Sequence, residues 1–219
     1  MRGKVKIWAL AAAALLLCSA ALGEVIGKAT APLDARCARE AECSFGSLVA
    51  DAMRSSLNAD LALLQASQLR PTQLPAGDLT REALTGVLLY PDERVVLVEV
   101  SGAKIKAALE RSLSMAPKPS TSFLQVSGLA VTYRSEATPE QRVVEVRVGG
   151  APLSPEKMYR VAMPASLAKG ALGYFRIFNG LQPKETGPAI EEAVVGYVMA
   201  ARTVAPPGGR LRDLSSADK

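Results

Sequence analysis

The 219-residue chain carries 26 Lys and Arg, 21 Asp and Glu, 49% hydrophobic residues and no histidine. This length and composition fit one cored globular domain and exclude a disordered or low-complexity chain. Without histidine there is no Ser–His or Cys–His nucleophile and no histidine-containing metal site.

Residues 1–23 read as a secretory leader. Arg2, Lys4 and Lys6 precede an apolar run over 7–17, and small residues follow to Gly23. With Ala21 and Gly23 at the −3 and −1 positions, cleavage is expected before Glu24. The rivals are an uncleaved anchor, for which the apolar run is short, and a lipoprotein at Cys18, where Leu17 replaces the small residue wanted. The expected location is periplasmic or secreted. The leader holds three basic residues and no acid, so the mature chain has 23 basic against 21 acidic residues. Such a balance, with no basic run interleaved with aromatics, speaks against nucleic-acid binding. No second apolar stretch approaches membrane-spanning length, so no stable span is expected after cleavage. Cys37 and Cys43 remain, and in an exported chain such a close pair reads as a disulfide loop; two thiols without histidine make a poor metal site.

In chain order, 24–29 reads as an entry strand. Ser44 is a candidate N-cap for a helix over 45–57, whose apolar residues Phe45, Leu48, Val49, Ala52, Met53 and Leu57 recur at helical spacing. A buried strand is expected at 59–64 and a turn at 74–78 around Gly77. Thr80 can cap a helix reaching Leu88. The valine-rich run 95–100 predicts a central strand, ended by Ser101-Gly102, and an amphipathic helix follows over 103–115. Pro117 and Pro119 forbid its continuation. Four strands are expected at 123–126, 129–134, 142–148 and 158–162, with Gly149-Gly150 as a hairpin turn between the last two. A long helix covers 190–201, and the tail from 206 reads as polar and frayed. Helices and strands mix without βα alternation, which predicts an α+β fold with a mixed sheet flanked by helices. One domain is expected over 24–211, with 212–219 as a polar tail.

No phosphate loop or dinucleotide fingerprint is present, so no cofactor and no catalytic residue is assigned. Arg39, before a helix N-terminus, and Arg70, in the loop after a strand, are candidates for gripping a phosphate or carboxylate. The alternative for both is solvation, or pairing with Glu40, Glu42 or Asp60. Tyr174 and Phe175 form either an aromatic platform or core packing. Asp51 either holds a loop or sits at the polar edge of its helix, and Arg210 and Arg212 read as solubilising charges on the tail.

Taken together, RCAREAECSFGSLVADAMR (36–54), ADLALLQASQLR (59–70), LPAGDLT (74–80), VVLVEVSGAKIKAALERSLS (95–114), FLQVSGLAVTY (123–133), VVEVRVGGAPLSPEKMYRVAMPASLAKGALGY (143–174) and GGRL (208–211) resemble the C-terminal domain of the secreted 5′-nucleotidase and UDP-sugar hydrolase family. The resemblance implies a substrate-recognition domain. In the family it follows a metallophosphoesterase domain, which binds two metals and performs the hydrolysis. It also implies substrate-contacting roles for Arg39 and Arg70, and a ligand-orienting role for Gln65, which stands where the family has asparagine. Ser67 replaces a common glycine. The nucleoside clamp departs from the pattern. Pro91 and Ser166 fall where the family has its two phenylalanines, Glu93 where it has asparagine, and Leu172 where it has the aspartate of a Gly-Gly-Asp-Gly motif. Losing both aromatic faces removes stacking worth roughly 1–3 kcal/mol per base. The expectation is therefore a non-catalytic domain that binds a small phosphate-bearing ligand or a partner protein. The alternative is one half of a split nucleotidase completed by a separate metallophosphoesterase chain.

Overall fold

The computed structural model describes residues 23–205 and 208–215. Except for Gly23, the expected leader lies outside the described residues. β1 (Val25–Ala29) and β2 (Leu33–Asp34) lead into α1 (Ser44–Ser56), β3 (Leu61–Gln65) and a single 3-10 turn at Ala66–Gln68. β4 (Gln73–Leu74), β5 (Gly77–Thr80), α2 (Arg81–Thr85), β6 (Arg94–Ser101) and α3 (Gly102–Leu113) follow. Next come β7 (Leu124–Ser127), β8 (Leu129–Tyr133), β9 (Val143–Val148), β10 (Ala151–Pro152) and β11 (Met158–Pro164). α4 (Ala165–Ala168), a 3-10 turn at Ala171–Gly173, α5 (Phe175–Phe178), β12 (Glu185–Ala189), α6 (Ile190–Ala201), β13 (Thr203–Val204) and β14 (Leu211–Asp213) complete the order.

The principal sheet runs β12-β6-β11-β3-β7. Only β11 and β3 are parallel; the other three pairings are antiparallel, so the sheet is mixed and the fold is α+β. All five residues of β3 are buried, which explains why LALLQ reads as an unbroken apolar run rather than an alternating one. α1 packs its Phe45, Leu48, Val49, Ala52 and Met53 stripe into the same core. Smaller sheets, β13-β1-β5 and β10-β9-β8-β14, flank this centre.

Three local expectations are corrected. The α1 cap is Cys43, whose backbone is extended and whose Sγ accepts from the Gly46 N–H at 3.3 Å, while the Ser44 hydroxyl accepts from the Asp34 N–H at 2.7 Å. Gly149-Gly150 does turn a hairpin, but into the short β10; β11 belongs to the principal sheet and pairs with β6 and β3. The chain beyond residue 211 is not simply a tail, because β14 lies parallel to β8 from Leu211 to Asp213.

Candidate functional site

Strand direction gathers the site. β3 and β11 run parallel, so Gln65 at the end of β3 and Ser166 just past the end of β11 emerge at the same sheet edge. β6 is antiparallel to β11, with Val95 opposite Pro164, so Glu93 precedes β6 at that edge too. β7 is antiparallel to β3, with Leu124 opposite Gln65, which brings residues 120–123 alongside.

A chain of hydrogen bonds connects these residues. Gln65 Nε2 donates to Ser166 Oγ at 2.9 Å, the Ser166 N–H donates to Glu93 Oε1 at 2.7 Å, and Gln68 Nε2 donates to Glu93 Oε2 at 2.5 Å. Gln65 and Gln68 are 1% and 2% exposed, yet the side-chain oxygen of each is buried without a partner. Such orphaned acceptors are rare in folded proteins. Glu93 is half-buried and forms no ion pair with a described residue. Gln68 was not singled out from sequence. Its signal was an amide three residues after Gln65, which a one-turn 3-10 helix returns to the same edge.

Arg70 follows the Ala66–Gln68 turn, and Ser67 of that turn bonds the segment beside the Arg39 loop. The Arg39 carbonyl accepts from the Ser120 N–H at 2.7 Å, and the neighbouring Thr121 carbonyl accepts from the Ser67 N–H at 3.1 Å. The Arg39 loop is shaped from below by Gln125 of β7, fully buried. Gln125 accepts from the Cys43 N–H at 2.9 Å and donates to the Ala38 and Ala41 carbonyls at 2.9 and 2.7 Å. Arg70 Nε donates to the Gly86 carbonyl at 3.1 Å. Neither guanidinium forms an ion pair with a described residue, so the pairing considered with Glu40, Glu42 or Asp60 does not occur. Among the described residues, no hydrogen bond joins Arg39 or Arg70 to the Gln65–Glu93 chain.

The remaining clamp positions are dispersed. The Pro91 carbonyl accepts from the Glu191 N–H at the start of α6. Leu172, at φ +56°, is exposed, and its carbonyl accepts from Arg111 at 2.8 Å. Tyr174 is wholly buried, donates to the Ser122 carbonyl at 2.6 Å and stacks on Phe178 at 5.7 Å between centroids. It is core, and Phe175, 59% exposed, presents the aromatic surface of this segment. A groove of about 1050 Å³, lined by residues including Lys106, Arg111, Val144 and Ile177, includes none of Arg39, Gln65, Arg70, Glu93 or Ser166.

The expected disulfide is not formed: Cys37 and Cys43 are free thiols. Each thiol is engaged locally, Cys43 as the α1 cap and Cys37 against the Glu42 carbonyl at 3.5 Å. Burial pushes the Cys43 thiol up to about 12, partly offset by the bond from the Gly46 N–H. Arg210 is also reassigned, from a tail charge to a buried anchor. It meets Asp51 at 2.7 Å with side chains 18% and 13% exposed, and donates to the Val126 carbonyl at 2.8 Å. Asp51 thus holds the C-terminal segment, and Ser127 donates to its other oxygen at 2.5 Å.

Among the described residues no group of three or more Cys, Asp or Glu side chains could hold a metal ion, and no helix is long and apolar enough to cross a membrane.

Comparison with known proteins agrees with this architecture. Residues 25–180 match the model of the 5'-nucleotidase C-terminal domain family. An apyrase from Anopheles gambiae is 29% identical over 191 residues, covering 83% of this chain and 33% of that protein. A 5'-nucleotidase from Bos taurus is 28% identical over 203 residues, covering 83% of this chain and 35% of that protein. The crystal structure of a 5'-nucleotidase precursor from Thermus thermophilus superposes with a TM-score of 0.78 at 27% identity, covering 95% of this chain and 43% of that one. The chain spans about a third of the length of the curated relatives it matches. It belongs to the 5'-nucleotidase C-terminal domain family.

Proposed function

We propose that this domain is a non-catalytic recognition module for a small phosphate-bearing ligand, acting in the periplasm or outside the cell. What supports the reading is that the Arg39 carbonyl bonds Ser120, next to the Thr121 that bonds Ser67, that Arg70 follows the Ala66–Gln68 turn, and that neither guanidinium pairs with a described carboxylate. Two guanidinium forks with free donors suit the oxygens of a phosphate, which accept paired N–H bonds. The nucleobase side is weak. Pro91 and Ser166 offer no aromatic face, Tyr174 is sealed in the core, and Leu172 carries no charge. A ligand is therefore held by its anion rather than by a stacked base.

A second reading has its own support. The relatives named as nucleotidases are about three times as long as the matched part, so hydrolysis would belong to a metallophosphoesterase unit, supplied here by another chain. In that arrangement this domain would present the phosphate to the partner's metals.

Thermal unfolding with inorganic phosphate, AMP and adenosine tests the proposal. Ligand at a hundredfold excess over Kd stabilises by about 2.7 kcal/mol. Phosphate and AMP are expected to raise Tm, adenosine to leave it unchanged, and Arg70→Ala to abolish both shifts. No shift with phosphate or AMP overturns the anion-binding reading. Phosphate release by the purified chain that tracks it through purification overturns the non-catalytic one.

A further inference from the structure

The anion reading leaves the Gln65–Ser166–Glu93–Gln68 chain unexplained. Gln65 Oε1 and Gln68 Oε1 are buried and unpaired. The Glu93 carboxylate between them accepts only neutral N–H groups, from Ser166 and Gln68, so its charge has no counter-ion among described residues. The Gln68 amide cannot reverse to relieve its oxygen, because its nitrogen must face the carboxylate at 2.5 Å, whereas a reversed Gln65 amide would accept from the Ser166 hydroxyl; the firm orphan is Gln68 Oε1. Leaving such groups unmatched in a buried setting is costly.

We infer that this cluster is the seat of a primary ammonium group carried by the ligand. An ammonium has three N–H donors to offer the Gln68 oxygen and the Glu93 carboxylate, and its charge matches that of Glu93. A water molecule offers two donors and no charge. A divalent cation such as calcium takes six to eight oxygens, more than this cluster holds. The cluster sits at the sheet edge that also carries the Ala66–Gln68 turn, which Arg70 follows and whose Ser67 bonds the segment beside the Arg39 loop. Resting on the anion reading for its other half, the inference makes the preferred ligand a small zwitterion: a phosphate toward the arginines and an ammonium toward Glu93.

Calorimetric titration of the full chain with O-phosphoethanolamine, ethyl phosphate and ethylamine tests this. Phosphoethanolamine is expected to bind about tenfold or more tighter than ethyl phosphate. Glu93→Gln is expected to erase that preference. Gln68→Leu, which removes one acceptor and keeps the charge, should reduce the preference without erasing it. Equal affinity for the two phosphates in the unmutated chain overturns the ammonium site while leaving the anion reading intact. So does a preference that survives Glu93→Gln; if that variant does not fold, the unmutated comparison decides. Binding of ethylamine without ethyl phosphate supports the ammonium site and overturns the anion reading. No binding of ethylamine or phosphoethanolamine, as expected if the cluster holds only water, overturns the ammonium site.

Discussion

Two polar networks in this domain are finished differently. In the first, Asp51 accepts from Arg210 and Ser127, and Arg54 donates to Ser127 at 2.8 Å. Glu42 accepts from the Arg210 and Leu211 backbone N–H groups at 2.7 and 3.1 Å. Each carboxylate in it meets an opposite charge or backbone N–H groups. In the second, Gln65, Ser166, Glu93 and Gln68 bond to one another, yet two amide oxygens are left over. A network that closes on itself serves the fold; one that ends in unmet acceptors at a sheet edge is suited to a ligand. Both border the same β3–β7 core, so the contrast lies in their donors rather than in burial.

That contrast can be broken by substitution. Arg210→Met should destabilise most, by about 3 kcal/mol, because it leaves the largely covered Asp51 without its cation. Urea unfolding measures this, and a loss below about 1 kcal/mol would place the pair among ordinary surface bridges. Gln125→Leu should cost about 2 kcal/mol, since the Cys43 N–H and the Ala38 and Ala41 carbonyls lose their shared partner. The same variant should weaken phosphate binding by loosening the Arg39 loop; undiminished affinity would show that the loop keeps its shape without Gln125.

The Cys43 thiol provides a pH test. Its folded value, about 12, lies above the ordinary 9.0, so the folded state holds this proton more tightly than the unfolded chain does. The stability it contributes is full below pH 9 and is lost as pH rises toward 12. Cys43→Ala should lack this alkaline loss relative to the unmutated chain, measured as the pH dependence of the unfolding midpoint. Equal slopes would refute it.

Gln65→Met, by contrast with Arg210→Met, should change stability by no more than about 1 kcal/mol, because it removes one neutral hydrogen bond, to Ser166, together with an acceptor that has no partner. A loss as large as that of Arg210→Met would erase the distinction between the networks. Arg70→Ala should be smallest, within about 0.5 kcal/mol, as expected of an exposed side chain bonded once to a carbonyl. Its effect should appear in phosphate binding alone.

The regular elements were legible because local rules decide them. The α1 stripe, the Thr80 cap, the valine-rich β6 and the α6 helix follow from side-chain period and capping chemistry, and each stands where that chemistry placed it. The mistakes have a common origin in contacts between residues distant in sequence. Ser44 looked like the cap, but its hydroxyl is claimed by Asp34, ten residues away. Gly149-Gly150 signalled a hairpin correctly, yet nothing local told β11 to join β3 rather than β9. Arg210 in a glycine-rich tail looked solvated because its partner lies 159 positions earlier.

The sequence by itself determined the α+β class, the positions of the long helices and central strands, and the residues worth watching, because periodicity and resemblance both act along the chain. Tertiary structure decided what those residues do. Parallel pairing of β3 with β11, and antiparallel pairing of β6 with β11, put Gln65, Ser166 and Glu93 at one edge. Hydrogen-bond matching there engaged both amide nitrogens but left two oxygens open. Only the count of donors against acceptors in three dimensions distinguishes a bond that holds the fold from an acceptor that waits for a ligand.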